Sequence, residues 1–237
     1  MKKVWVIFSC VLFFLSCKKE KEGYSDAENR AYFPLIMGKQ MVYEVDSVIW
    51  DDFTCVTDTN HYQMRWTVGD SFYDNESRLA YRINVEIREA DTTEWRQHRV
   101  YAATPTASTL EFAEENLRFI KLIFPIQNGS SWDGNTRIET AAAENQYLQQ
   151  WKYEYTDKGN AFDTEAMQFA NTVTVLQKDE EINDPDEDPY AAKTFAKEVY
   201  AKDAGLVYRE VEHWIYDQNV SRCRAGFAVK MRAVSSN

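Results

Sequence analysis

Beyond residue 16 the chain has no apolar run long enough to cross a bilayer, which takes about 20 residues in a helix. Histidine and cysteine are scarce, at 3 and 4 residues respectively. His61, His98 and His213 are scattered, and no cysteines form a CxxC pair, so the ligand spacing of a zinc or other metal site is missing. No GxSxG elbow, HExxH, P-loop or GxGxxG is present. Carboxylates are abundant, but no two stand out as a glycosidase pair. The sequence therefore assigns no catalytic residue, no metal and no cofactor, and a catalytic role is not expected. Basic residues are also short, 27 against 38 acidic ones, for a formal charge of −11. Such a surface lacks the cationic patches that displace counterions from nucleic acid or dock on anionic lipid. Eight glycines and five prolines are too few for a collagen-like or low-complexity chain.

What is present begins at the N-terminus. Lys2 and Lys3 precede an apolar stretch from Val4 to Leu15, the pattern of a secretory signal. It ends in Phe14-Leu15-Ser16-Cys17, which resembles a lipobox, with Phe14 where leucine is usual. Residues 1–16 read as a lipoprotein signal peptide and Cys17 as the acylated first residue of the mature chain. Residues 17–30, opening with Lys18-Lys19-Glu20-Lys21-Glu22, read as a solvated tether. Losing Lys2 and Lys3 with the leader takes the charge from −11 to −13, so the lipid holds the protein at the membrane and the protein surface does not. The expected location is the cell envelope, most simply the outer membrane.

Residues 31–237 carry period-two alternation, the mark of half-buried strands. Met41, Tyr43 and Val45 alternate with Glu44 and Asp46, and Leu79, Tyr81, Ile83, Val85 and Ile87 alternate with Arg82, Asn84 and Glu86. Tyr147, Trp151, Tyr153 and Tyr155 read as one aromatic stripe facing inward, a candidate surface for stacking on a ligand. Asn128-Gly129, Lys158-Gly159-Asn160 and Asp203-Ala204-Gly205 read as turns. Short helical turns are expected at 110–117 and 187–196. About eleven or twelve evenly spaced strands predict a single all-β domain. The expected fold is an antiparallel, strongly curved sheet forming a closed or half-open barrel, like a lipocalin or lipoprotein carrier; a two-sheet sandwich is the alternative.

Besides the acylated Cys17, two cysteines remain in the mature chain, Cys55 and Cys223. Exported proteins keep disulfides. If the first strand (41–50) pairs antiparallel with the last (223–233) to close the barrel, the end of one meets the start of the other. A Cys55–Cys223 bridge is then expected. The triplet Asp184-x-Asp186-x-Asp188 opens like a calcium loop, but Pro189 and Phe195 occupy the sixth and twelfth places, where glycine and glutamate are needed, so it reads as a solvated acidic loop. Asp46-Ser47-Val48 and Asp91-Thr92-Thr93 resemble short O-glycosylation signals. Phe33-Pro34-Leu35-x-x-Gly38-x-x-Met41 is echoed by Phe124-Pro125-Ile126-x-x-Gly129-x-x-Trp132. If the echo reflects duplication, the two loops occupy equivalent places in two halves of the sheet.

The segments Tyr32-Phe33-Pro34-Leu35…Gly38…Tyr43-Glu44-Val45-Asp46-Ser47, Asn116-Leu117-Arg118-Phe119…Phe124-Pro125-Ile126, Trp132-Asp133-Gly134-Asn135 and Val199 to Glu210 resemble an uncharacterised lipoprotein family of Bacteroidota. The likeness covers most of the mature chain, with departures at Met41, where an aromatic is usual, and in an acidic insertion at 179–188. It implies an envelope location and a β-rich fold, and no activity. Three roles follow in order: binding of a small apolar ligand, a glycan or an envelope protein at the barrel mouth; an accessory subunit of an outer-membrane assembly; a hydrolase of unrecognised type. An aromatic-lined cavity favours the first, a filled core with an exposed apolar patch the second, and buried like-charged carboxylates in a cleft the third.

Overall fold

The computed structural model describes residues 26–237, so Cys17 and most of the tether lie outside the described residues. A short helix, α1 (Asp26–Arg30), precedes fourteen strands. They are β1 (Gln40–Asp51), β2 (Val56–Tyr73), β3 (Leu79–Arg88), β4 (Arg96–Pro105), β5 (Thr109–Glu114), β6 (Leu117–Ile123) and β7 (Ser131–Trp132). There follow β8 (Tyr153–Thr156), β9 (Phe162–Asp163), β10 (Gln168–Phe169), β11 (Thr172–Ile182), β12 (Tyr190–Ala201), β13 (Gly205–Asp217) and β14 (Arg224–Ser236). Twelve of these form one antiparallel sheet in the order β6-β5-β4-β3-β2-β1-β14-β13-β12-β11-β8-β7. The sheet curls until its two edges meet. Ile120 N–H donates to the Gly134 carbonyl at 2.8 Å, and Trp132 Nε1 donates to the Ile120 carbonyl at 2.8 Å. The Tyr155 hydroxyl accepts from Ile123 N–H and donates to the Ile123 carbonyl, both at 2.8 Å. The expected curved, near-closed barrel is what the chain forms, and the sandwich alternative falls away. The separate β9–β10 hairpin packs on the outside, with Phe162 against Tyr208 at 5.2 Å.

Alternation decides which residues fill the barrel. On β1, Met41, Tyr43 and Val45 are buried while Glu44 and Asp46 stay outside and pair with His61 at 2.9 and 2.8 Å. The outward face of other strands carries ion pairs such as Arg65–Glu86 and Lys193–Glu212. A transmembrane barrel has the reverse pattern, an apolar band outside and polar residues within. Among the described residues, no helix is long and apolar enough to cross a membrane.

One end of the barrel is plugged. Phe33 packs on Phe112 at 5.9 Å and on Tyr200 at 6.2 Å, and Tyr32 is buried. Asp203 N–H donates to the Ala31 carbonyl at 2.7 Å, which ties the incoming chain to the β12–β13 turn. The turns after β1 and β13 lie at the opposite end.

Three expectations are corrected here. Residues 110–117 form the β5–β6 hairpin, with Glu115 and Asn116 at positive φ in its turn, and residues 190–196 belong to β12. In both places alternation and pairing with neighbouring strands override a weak helical preference. β1 does pair with β14, with Trp50 opposite Gly226, but that ladder lies mid-sheet. The barrel closes instead where β6 meets β7 and β8.

The internal echo is local. Gly38 and Gly129, at φ 84° and 80°, end equivalent turns in which Lys39 N–H donates to the Ile36 carbonyl and Ser130 N–H to the Gln127 carbonyl. Each glycine N–H then donates at 2.8 Å to a carbonyl of the adjacent strand, Val68 or Tyr155. Beyond the turn the two copies diverge, since β1 runs 12 residues mid-sheet and β7 runs 2 at an edge. Met41 is buried and Trp132 half-buried, as the alternation requires.

Candidate functional site

The barrel interior is not filled throughout. Above the plug, Trp66 stacks on Phe112 at 5.5 Å, and Tyr43 and Tyr101 each meet Trp66 edge-on at 5.6 Å. Beyond this aromatic layer lies a cavity of about 370 Å³. Its apolar walls include Met64, Phe119, Leu148, Trp151, Val229 and Met231. The cavity reaches the surface at the exposed Arg99–Glu115 ion pair, beside the β5–β6 turn. Its volume falls in the range of small-molecule sites, toward the lower end.

A charged cluster forms one wall. Glu114, Lys121, Glu198 and Arg209 all occupy inward positions on their strands. Lys121 Nζ lies 2.8 Å from Glu198 Oε1 and 3.4 Å from Glu114 Oε1. Arg209 grips Glu114 through both terminal nitrogens, one at 2.9 Å, and its Nε lies 3.2 Å from Glu198. The Tyr200 hydroxyl donates to the second Glu198 oxygen at 2.6 Å. Two cations thus face two anions, and the cluster is neutral. Burial pushes the Glu114 carboxyl up, but Arg209 and Lys121 outweigh it and hold the group down at about 2. Burial works against the Arg209 charge as well, and Glu114 and Glu198 more than restore it. These carboxylates are neutralised in place. Glu114 does not exchange a proton near neutral pH, as a general acid must.

Gln177 carries one of two unpartnered buried donors among the lining residues, the other being the Arg209 Nε. Gln177 lines the cavity from β11, is 2% exposed, and its Nε2 has no hydrogen-bond partner. A buried amide donor without an acceptor costs roughly 1–3 kcal/mol.

The aromatic stripe is placed in three different ways. Tyr147 lies on a 3₁₀ turn (Ala143–Leu148) over the cavity, stacked on His213 at 4.9 Å and edge-on to Phe227 at 5.8 Å. Trp151 follows that turn, and only Tyr153 and Tyr155 share a strand. Tyr147, Trp151 and Tyr153 line the cavity; Tyr155 does not, because its hydroxyl closes the barrel seam. The expectation of one strand face is corrected accordingly: the chain breaks at residues 149–152, so alternation does not carry through.

Cys55 and Cys223 are joined by a disulfide with Cα atoms 5.5 Å apart, linking the β1–β2 and β13–β14 turns at the end opposite the plug. His61 lies on the outer face, His213 inside, held by Thr194 at 2.9 Å. In the acidic loop, Asp184 and Asp188 accept backbone N–H groups of the loop itself. Among the described residues, no three His, Cys, Asp or Glu side chains gather as a metal site.

Sequence reasoning missed the cluster and Gln177. The signal was there: Leu110-x-Phe112-x-Glu114, Val173-x-Val175-x-Gln177 and Val207-x-Arg209-x-Val211 each place a polar residue in the apolar phase of a strand.

No known protein family and no curated protein matches this sequence. Among solved structures, a Bacteroides fragilis protein described as exported, with a YmcC-like fold, is 10% identical at a TM-score of 0.41, over 85% of this chain and 96% of that one. So distant a likeness leaves the site to be read from its own geometry.

Proposed function

We propose that this protein is a lipid-anchored envelope protein that binds a small, largely apolar ligand inside its barrel without transforming it. The observation that carries this reading is the aromatic-walled cavity of about 370 Å³ inside the barrel. Its buried charged groups are paired with one another, which suits a largely apolar ligand better than a glycan, and Glu114 is held too far down to act as an acid near neutral pH. An accessory subunit without a ligand would have no use for the empty volume.

The envelope location rests on Lys2, Lys3, the apolar run and Leu15-Ser16-Cys17, and a disulfide suits that compartment. The described chain enters the barrel at its plugged end. Cys17→Ala is expected to abolish incorporation of labelled fatty acid; undiminished labelling would remove the anchor from the account.

The ligand claim is tested by titrating the protein with an uncharged naphthalene fluorophore and following quenching of Trp66 and Trp151. Saturable one-to-one binding is expected. Signal that rises linearly with probe would contradict it.

A further inference from the structure

We infer that the ligand carries an uncharged hydrogen-bond-accepting oxygen, a ketone, ester or ether, at its buried end, and that Gln177 reads it. This rests on the cavity being a ligand site and specifies what enters it. Two observations converge. The first is the Gln177 Nε2, unpartnered on a side chain only 2% exposed that faces the cavity. A buried amide donor needs an acceptor, and a hydrocarbon supplies none.

The second is the charge balance around it. Lys121 is bonded to Glu198, and Arg209 is bonded to Glu114 through both terminal nitrogens; the Arg209 Nε lies 3.2 Å from Glu198 without making a hydrogen bond, so the four charges cancel and one N–H is left over. At the rim, Arg99 is committed to Glu115. A carboxylate ligand would bring a net negative charge into a wall whose two cations already face two anions. An ammonium ligand would find both carboxylates occupied. Burying an uncompensated charge is far costlier than burying a neutral oxygen that accepts from an amide. The remaining walls, Trp66, Phe119, Leu148 and Met231, suit an apolar body.

The test is displacement of the naphthalene fluorophore by four competitors: 2-decanone, decanoate, decylammonium and naphthalene itself. At neutral pH the ketone is expected to displace the probe at a concentration at least about tenfold below either ion, because each ion brings a net charge into a wall already neutral. Gln177→Leu is then expected to weaken 2-decanone about fivefold, the worth of one hydrogen bond, and to leave naphthalene equal or tighter. Gln177→Met, which also removes the amide, is to give the same split if the leucine variant folds poorly. Decanoate binding as tightly as the ketone, or parallel weakening of ketone and naphthalene in both variants, would overturn the inference while the binding function stands. Failure of every probe to bind the wild-type protein would overturn both.

Discussion

Replacing Cys55 and Cys223 together with serine is expected to lower the unfolding free energy by about 4–5 kcal/mol. The bridge spans a sequence separation of 168 residues, most of the described chain. Its loss in the native state is local, because β1 and β14 remain paired from Met41–Ser236 to Trp50–Gly226 without it. The effect arises in the unfolded chain, which regains the freedom that a large closed loop denies it. Urea unfolding of the double variant against the oxidised wild type measures the difference, and the denaturant slope should rise as the unfolded state expands. A change under about 1 kcal/mol would show that the bridge constrains little.

Glu114→Ala is the other substitution with a large expected effect, a loss of about 3–5 kcal/mol. It leaves Lys121 and Arg209 buried with Glu198 as their shared counter-ion. Substituting both partners, Glu114→Leu with Arg209→Met, keeps the wall neutral and is expected to recover most of the loss. The same group sets an acid limit. The folded-state value of about 2 lies below the ordinary 4.5, so Glu114 stabilises the fold fully above about pH 4.5. That contribution, on the order of 3 kcal/mol, is lost as pH falls toward 2. His213 acts in the same direction at higher pH, since burial lowers its value and protonation disfavours the fold. Acid titration of stability, read by near-ultraviolet circular dichroism, is expected to flatten between pH 4.5 and 2 in Glu114→Ala. An unchanged acid limb would assign the loss to other groups.

Much of the barrel was legible in its strands. Met41, Tyr43 and Val45 alternate with acids, and burial follows that alternation residue by residue. The turns at Gly129, Gly159 and Gly205 were legible because positive φ favours glycine. Adjacency of the first and last strands followed from the chain ends, but the seam did not. Closure depends on the Tyr155 hydroxyl and the Ile120–Gly134 bond, contacts between segments with no periodic signature. Within the site, Tyr147, Trp151 and Tyr153 were visible as aromatics, whereas their assembly depends on a 3₁₀ turn that breaks the strand pattern. The charged wall was hidden for another reason. An inward Glu, Lys or Arg looks like a lapse in alternation until its partners are known, and those come from β5, β6, β12 and β13, as far apart as residues 114 and 209.

The central claim is that the interior cavity holds a ligand, and filling the cavity tests it most directly. Val229→Trp places an indole within the apolar wall, and Val211→Trp does so from the neighbouring strand. Both keep the charged wall and Gln177 intact. The measurement is the dissociation constant for the uncharged naphthalene fluorophore, in wild type and in each variant that melts no lower than wild type. The account predicts one-to-one saturable binding to the wild type and at least about a tenfold loss in a folded, cavity-filled variant. Equal affinity in wild type and filled variants would place the binding elsewhere on the protein and contradict the assignment.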